Sequence, residues 1–566
     1  MNAKGLLYSQ IGYDLGGPKQ AFFRAPDRKD LPPCPLFAIN GQDFEASYWG
    51  EIWRHHWWVL DFTTFGEGDY TISIEDSSGR TWESSLIEIR ERKLWDTCLE
   101  TMGLTQFEER SLRARNQVGW KDCGATLREL CSHAIAIIGL CELYEIGFEN
   151  MTPEQNKRLA KQIIQGCEYV ARCQDRAEAI GLPKGSFVHE INTHPFIVQT
   201  DIAQAIVALS YASRLLVDYY PEESKEYLRR ARRGYGFVEK EFKPTGPVGF
   251  SHINHGAPEG FEPPSDWMTR ELMMQLWACL ELWHSGAEEK YMREGQRLAN
   301  RIVSRQIAKG EADEEGGFWG HFRTFDDSPF TEKANIHHHI GHDTGGVFPN
   351  YVLPLLRAAN RWGHLPESKT WIQAVHDFAV GYLKPACESN PFKILPVGYF
   401  RGEGLLTFCG PWHGINATYA WNALLASHLE RETGDEAFRD ISVANLQWIA
   451  GLNVGLTSDM FESSFRFEAD IPPGEAHPYS HIDSIGTNHV KAWSRIKGSV
   501  CNGISVNPQF TQDIPSTKEN DHPAQYTDED WIPHGAAWIG ALAHVYETRF
   551  FRDGKRNEPA YVKQDQ

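Results

Sequence analysis

The sequence predicts a mainly α protein: a small all-β, immunoglobulin-like sandwich over residues 1–92, then a helical domain over 93–566 that fits an (α/α)6 toroid. Three observations carry that expectation. Near residue 93 the apolar pattern changes from short, turn-bounded runs to a helical period. About twelve helical segments follow, largely in pairs. Several connections between them exceed the ~15 residues that a compact domain usually leaves without structure.

In the first segment the strands include Gln20-Ala21-Phe22-Phe23, Trp57-Trp58-Val59-Leu60 and Tyr70-Thr71-Ile72-Ser73-Ile74. Turn clusters such as Gly16-Gly17-Pro18 and Gly66-Glu67-Gly68-Asp69 separate them. Short strands in a stretch of this length fit an immunoglobulin-like sandwich. From Ala125 to Ile146 the apolar residues Leu127, Leu130, Cys131, Ala134, Ile137, Ile138, Cys141 and Tyr144 step by three or four. Similar segments lie near 93–104, 154–180, 199–219, 222–241, 266–286, 288–308, 344–362, 367–386, 413–432, 435–452 and 531–549. The long connections are 242–265, 309–343, 388–412 and 453–530, rich in Gly, Pro, His and aromatic residues. In a toroid such loops line a cleft.

Composition narrows the function classes. With 76 acidic against 56 basic residues the formal net charge is −20, which disfavours nucleic acid and anionic membranes as partners. No run approaches the ~18 apolar residues needed to cross a bilayer. The opening MNAKGLLYSQIGYD turns polar too early for a secretory signal, so a cytoplasmic location is expected. Eleven irregularly spaced Cys without a CxxC pair read as reduced packing thiols. Nineteen Trp and a 12% aromatic share exceed ordinary core demand, and sugar faces stack on such rings. Nucleotide-binding glycine motifs and a GxSxG elbow are missing.

Four collinear stretches resemble glycoside hydrolase family nine, the endoglucanase family with an N-terminal immunoglobulin-like domain. The first comprises Gln10-Ile11-Gly12-Tyr13, Lys19-Gln20-Ala21, Leu60-Asp61-Phe62 and Gly68-Asp69-Tyr70. The second, Gly119-Trp120-Lys121-Asp122-Cys123-Gly124-Ala125, is similar to the family's GWxDAGD. A weaker third, Trp448-Ile449-Ala450-Gly451-Leu452-Asn453, precedes a loop bearing His477 and His481. The last is Tyr526-Thr527-Asp528-Glu529-Asp530, followed by Gly535-Ala536-Ala537-Trp538. The resemblance implies an inverting glycosidase acting on β-linked oligosaccharides or polysaccharide fragments. It also implies that Glu529 is the acid and that Asp122 helps to activate water. One departure stands out: the second acidic position of the family motif is Ala125, which cannot take a proton.

Inversion needs two carboxyl groups ~6.5–9.5 Å apart, one protonated and one ionised. The neighbours Asp528 and Asp530 are expected to raise the pKa of Glu529 by repulsion; the plain alternative is that all three complement a helix dipole. For Asp122 the alternative is an N-cap, and for Trp120, otherwise a sugar platform, core packing. Asn335-Ile336-His337-His338-His339-Ile340-Gly341-His342-Asp343 is the most unusual stretch. Consecutive His cannot all face one way and no separated carboxylate motif completes a zinc pattern. His337, His339 and His342 are therefore read as substrate-lining, with Asp343 a replacement base and no metal. Trp412 and His413, at a helix start, are read as cleft wall, and Asp266 as a cap or cleft residue. Among His477, His481 and Arg495, the resemblance favours His481 as a substrate contact. No cofactor is expected; calcium, held by some members, has no locatable ligand set here. Two further readings are a uronate-polysaccharide lyase on the same toroid and, because of Ala125, a non-catalytic carbohydrate binder.

Overall fold

The computed structural model describes residues 3–241, 243–244, 265–311, 317–326, 352–396, 398–400, 405–408, 414–458, 460, 471–486, 492–504 and 526–551. Eleven strands come first: β1 (Gly5–Leu7), β2 (Tyr13–Asp14), β3 (Gln20–Ala25), β4 (Leu36–Ile39), β5 (Gln42–Glu45), β6 (Ser47–Ile52), β7 (His55–Asp61), β8 (Gly68–Tyr70), β9 (Ile72–Glu75), β10 (Thr81–Glu83) and β11 (Ile87–Arg90). They form sheets ordered β1-β3-β7-β6, β10-β9-β4-β5 and β2-β11-β8. Alternation decides which face is inside: Ile87 and Ile89 of β11 are buried while Glu88 and Arg90 are half-buried. Between β4 and β5 the turn residues Asn40 and Gly41 take φ of 49° and 80°, the left-handed pair that a two-residue hairpin requires.

Phe23, Trp58 and Leu60 pack against Phe37, Ile39, Ile72 and Ile74 to make the sandwich core. Phe22, Trp53 and Trp57 belong instead to the core shared with the helices, where their rings meet Phe392. Polar ties support the joint: Gln10 N–H donates to Ala450 O at 2.9 Å, and Arg24 Nη1 to Val454 O at 2.6 Å.

The helices are α1 (Lys93–Cys98), α2 (Gln106–Arg113), α3 (Leu130–Gly147), α4 (Pro153–Ala179), α5 (Gln199–Leu216), α6 (Pro221–Glu241), α7 (Thr269–His284), α8 (Glu289–Ser304), α9 (Leu353–Arg361), α10 (Ser368–Phe378), α11 (Lys384–Glu388), α12 (Asn416–Thr433), α13 (Glu436–Ile449) and α14 (Ile532–Tyr546). Helices α3, α5, α7, α9, α12 and α14 form the inner ring of an (α/α)6 toroid, and the others pack outside. Sequence decides the assignment. Every residue of α14 is buried, whereas α8 buries only Tyr291, Gly295, Leu298, Ala299 and Ile302 along one stripe. Among the described residues only Leu130–Asn150 is long and apolar enough to cross a membrane, and it is an inner-ring segment, 89% buried.

The inner helices run in one direction. Near their C-terminal ends, Glu142 meets Arg357 at 2.7 Å and His544 at 2.9 Å, and Arg214 meets Glu145 at 2.7 Å and Glu281 at 3.2 Å. This buried lattice closes one end of the ring. The N-terminal ends, with their partial positive charge, gather at the other.

Two expectations need correction. Helix α3 starts at Leu130 rather than Ala125, because 125–129 form a loop whose Glu129 has an extended backbone (φ −98°, ψ 145°). The stretches 388–412 and 453–530 are not all loop: β12 (Gly398–Phe400) and β13 (Leu405–Thr407) pair antiparallel in the first, and β14 (Cys501–Ile504) and β15 (Tyr526–Asp530) in the second. Asn, Gly, Asp and Glu are poor strand formers, which hid β14 and β15 from pattern reading.

Candidate active site at the inner helix N-termini

The loop from Val118 to Glu129 enters α3 under tight steric control. Gly119 has φ 67°, and a Cβ there would sit 2.7 Å from both His133 Nε2 and Tyr169 Cβ. Trp120 follows, fully buried. Its N–H donates to His133 Nε2 at 3.0 Å, its Nε1 donates to Gln162 Oε1 at 3.0 Å, and its ring stacks on His133. Trp120 is therefore a core side chain and offers no exposed face to a sugar.

Asp122 is 1% exposed. Its Oδ2 accepts from Glu129 N–H at 2.8 Å and Ser132 Oγ at 2.7 Å, so it does hold the start of α3. Its Oδ1 is buried without a hydrogen-bond partner, the one oxygen of this carboxyl left for a water or substrate hydroxyl. Burial, then the nearby Glu129 charge, push its pKa well above the ordinary carboxylate value, against the two hydrogen bonds and Arg110.

The strand β15 brings Glu529 to the same place. Ile532 N–H donates to Asp122 O at 3.1 Å. Arg110 joins the two segments, donating Nη1 to Asp122 O at 2.9 Å and Nη2 to the fully buried Asp530. Burial, then the charges of Asp122 and Glu529, raise the thiol of Cys123, which adjoins both. Glu529 is half-buried between two buried neighbours. Asp530 is engaged by Arg110 and Ser494 N–H; Asp528 accepts from Trp493 Nε1, and burial raises it to about 6. Each acidic neighbour of Glu529 thus has its own partner, and all three acids lie in a strand that ends just before Trp531, the N-cap of α14.

A hydrogen-bond chain orients Glu529. Ala417 N–H donates to His534 Nδ1 at 2.9 Å, which fixes the imidazole with its proton on Nε2. That Nε2 lies 2.7 Å from Asn502 Oδ1, so the Asn502 amide nitrogen must face Glu529 Oε2, at 2.9 Å. Burial lowers His534 to about 3, which keeps the ring neutral. Glu529 Oε2 is thereby held as a hydrogen-bond acceptor.

Glu129 continues the site inward. His189 Nε2 is 3.5 Å from Glu129 Oε1 and Nδ1 is 2.7 Å from Asp201 Oδ2. On the outer side, Trp493 is 46% exposed and covers Gly124, whose added Cβ would meet Trp493 Cβ at 2.4 Å. It is an exposed ring beside the paired acids, the position first expected of Trp120.

His481 is fully buried, with Nδ1 2.9 Å from Asn416 Nδ2 and Nε2 3.4 Å from Asn453 Nδ2; burial lowers it to about 3. It supports the floor beneath β14 rather than facing out. Asp266 binds Arg305 at 2.6 Å and Arg301, so it is an ion-pair residue. His477 contacts Glu475 at 3.1 Å and Arg495 is exposed. His337, His339, His342, Asp343, Trp412 and His413 lie outside the described residues. Pattern reading missed Glu129, Trp493, Asn502 and His534, which share no motif and meet only through folding.

No family model and no curated protein sequence matches the chain. Solved structures do. A metagenome-derived glycoside hydrolase family 9 endoglucanase superposes with TM-score 0.64 at 15% identity, over 96% of this chain and 99% of that one. A Bacteroides ovatus GH9 protein gives 0.60 at 15% identity, over 97% and 99%. AaCel9A in complex with a cellobiose-like isofagomine gives 0.55 at 16% identity, over 95% and 99%. The chain shares the two-part fold of these proteins across almost its whole length.

Proposed function

We propose that the protein is a divergent family-nine glycoside hydrolase that cleaves β-linked oligosaccharides with inversion. The convergence of Asp122 and Glu529 at one face of the toroid carries this reading. Glu529 protonates the leaving oxygen, while Asn502 holds Oε2. Asp122 positions the attacking water through Oδ1. As the bond to the anomeric carbon forms, Asp122 also takes the water's proton; the neighbouring Glu129, which raises the proton affinity of Asp122, strengthens it for the task that Ala125 cannot share. Trp493 stacks a sugar ring. The carbohydrate ligand class follows from the neighbours' fold and from AaCel9A's cellobiose-like ligand. Cys34 and eight buried cysteines of the described residues are free thiols, which supports a reducing, cytoplasmic compartment.

A screen of β-linked oligosaccharides tests the reading, with the first-formed product anomer followed by NMR for wild type and Glu529→Gln. An inverted anomer, lost in the variant, supports it; a retained anomer overturns it. The upward-shifted Asp122 together with Ala125 favours a second reading, a carbohydrate binder without turnover. Cellobiose-type binding that survives Glu529→Gln, with no hydrolysis by wild type, would select that alternative.

A further inference from the structure

We propose that Cys131, His189 and Asp201 form a zinc-type metal site behind the carboxyl pair, with Glu129 as its outer partner. The sulfur, one ring nitrogen and one carboxylate oxygen lie within 4.8 Å of one another. All three residues are buried, at 3%, 1% and 1% exposure. They come from three separate pieces of chain: the first turn of α3, the segment before α5 and the first turn of α5. Backbone bonds fix the middle one, since His189 O accepts from Leu130 N–H at 2.7 Å and His189 N–H donates to Phe196 O at 2.7 Å.

The donor set suits the ion. Thiolate, imidazole nitrogen and carboxylate are all zinc ligands, and three from the protein leave a fourth position open. Zinc–ligand lengths of ~2.0–2.3 Å put tetrahedral ligands about 3.3–3.8 Å apart, and the three donor atoms here lie within 4.8 Å of one another. Nδ1 of His189 faces Asp201 at 2.7 Å, while Nε2 faces Glu129 at 3.5 Å. An ion on Nδ1 therefore leaves the Nε2 proton directed at Glu129, the carboxylate–histidine–metal arrangement that orients metal-bound imidazoles. Because Glu129 N–H also holds Asp122 Oδ2, an ion here stiffens the loop that carries Asp122. The inference does not depend on the hydrolase reading.

The full chain, stripped with a chelator, is titrated with zinc chloride and separately with cobalt chloride. A single equivalent is expected to bind, with a higher thermal midpoint and a thiolate-to-cobalt charge-transfer band. Cys131→Ser should abolish the band, Cys34→Ser at the exposed thiol should leave it, and Asp201→Asn should weaken zinc at least tenfold. Glu129→Gln should weaken it by about ten- to a hundredfold. Circular dichroism reports whether each variant is folded. If Cys131→Ser does not fold, the wild-type spectrum decides. A folded, stripped protein that takes up no ion overturns the proposal, as does a cobalt complex without the thiolate band or an affinity unchanged in Asp201→Asn.

Discussion

Replacing Asp122 by Asn should make the protein more stable at neutral pH while abolishing turnover. The Asp122 carboxyl is 1% exposed and its pKa stands well above the ordinary value, because burial and then Glu129 disfavour its charge. The folded chain thus binds more protons at this position than the unfolded chain does. Stability from this group is fully present below the unfolded value near ~3.9, and falls as pH rises from there through the folded value. The loss is about 1.4 kcal/mol per pH unit until the folded value is passed, then constant. Asn does not titrate. It can present its carbonyl to Glu129 N–H and Ser132 Oγ and place its uncharged amide nitrogen at the Oδ1 position, where the protonated acid carries its hydroxyl. The two proteins should therefore unfold alike near about pH 4 and diverge above it, the variant gaining about 3 kcal/mol for each two units of upward shift. Thermal midpoints of both proteins measured across pH provide the assay. Hydrolysis, if Asp122 holds the water, should fall by about 10²–10⁴-fold. Parallel midpoints at every pH would refute the electrostatic argument, and wild-type turnover would refute the chemical one.

Glu529→Gln should lower kcat by roughly 10²–10⁴-fold while retaining ligand affinity, as judged by calorimetry and product assays. Trp493→Ala removes the exposed ring over Gly124; a loss of about 1 kcal/mol of stacking predicts a roughly fivefold rise in KM with kcat little changed. Arg110→Met leaves Asp530 buried without its cation and should cost about 3–5 kcal/mol in denaturant unfolding. Asn502→Ala removes the donor to Glu529 Oε2, and a charge-assisted bond of about 1.5–3 kcal/mol predicts at least a tenfold fall in kcat.

Much of the architecture was legible in the chain because helix and strand periods are local properties. The apolar run through α3 and the strand alternation of β11 needed no partner to be read. The motifs around Asp122 and Glu529 located two carboxyl residues that the fold brings to one end of the ring. Strand β15 escaped notice because Asp-Glu-Asp resembles a solvated turn; its Asp530 is tolerated inside only because Arg110, 420 positions away, supplies the charge. Trp120 and His481 misled for the opposite reason: motif position does not reveal exposure.

What the sequence determined by itself is the order of a strand-rich and a helix-rich unit, the helical period of the second, and the presence of acids at two loop ends. Each follows from residues close together along the chain. Only the tertiary structure decided that Asp122 keeps an oxygen without a hydrogen-bond partner, that His534 and Asn502 hold Glu529 Oε2, and that Glu129 stands behind Asp122. Burial, tautomer and charge coupling depend on groups hundreds of residues apart, and those distances exist only once the ring of helices has closed.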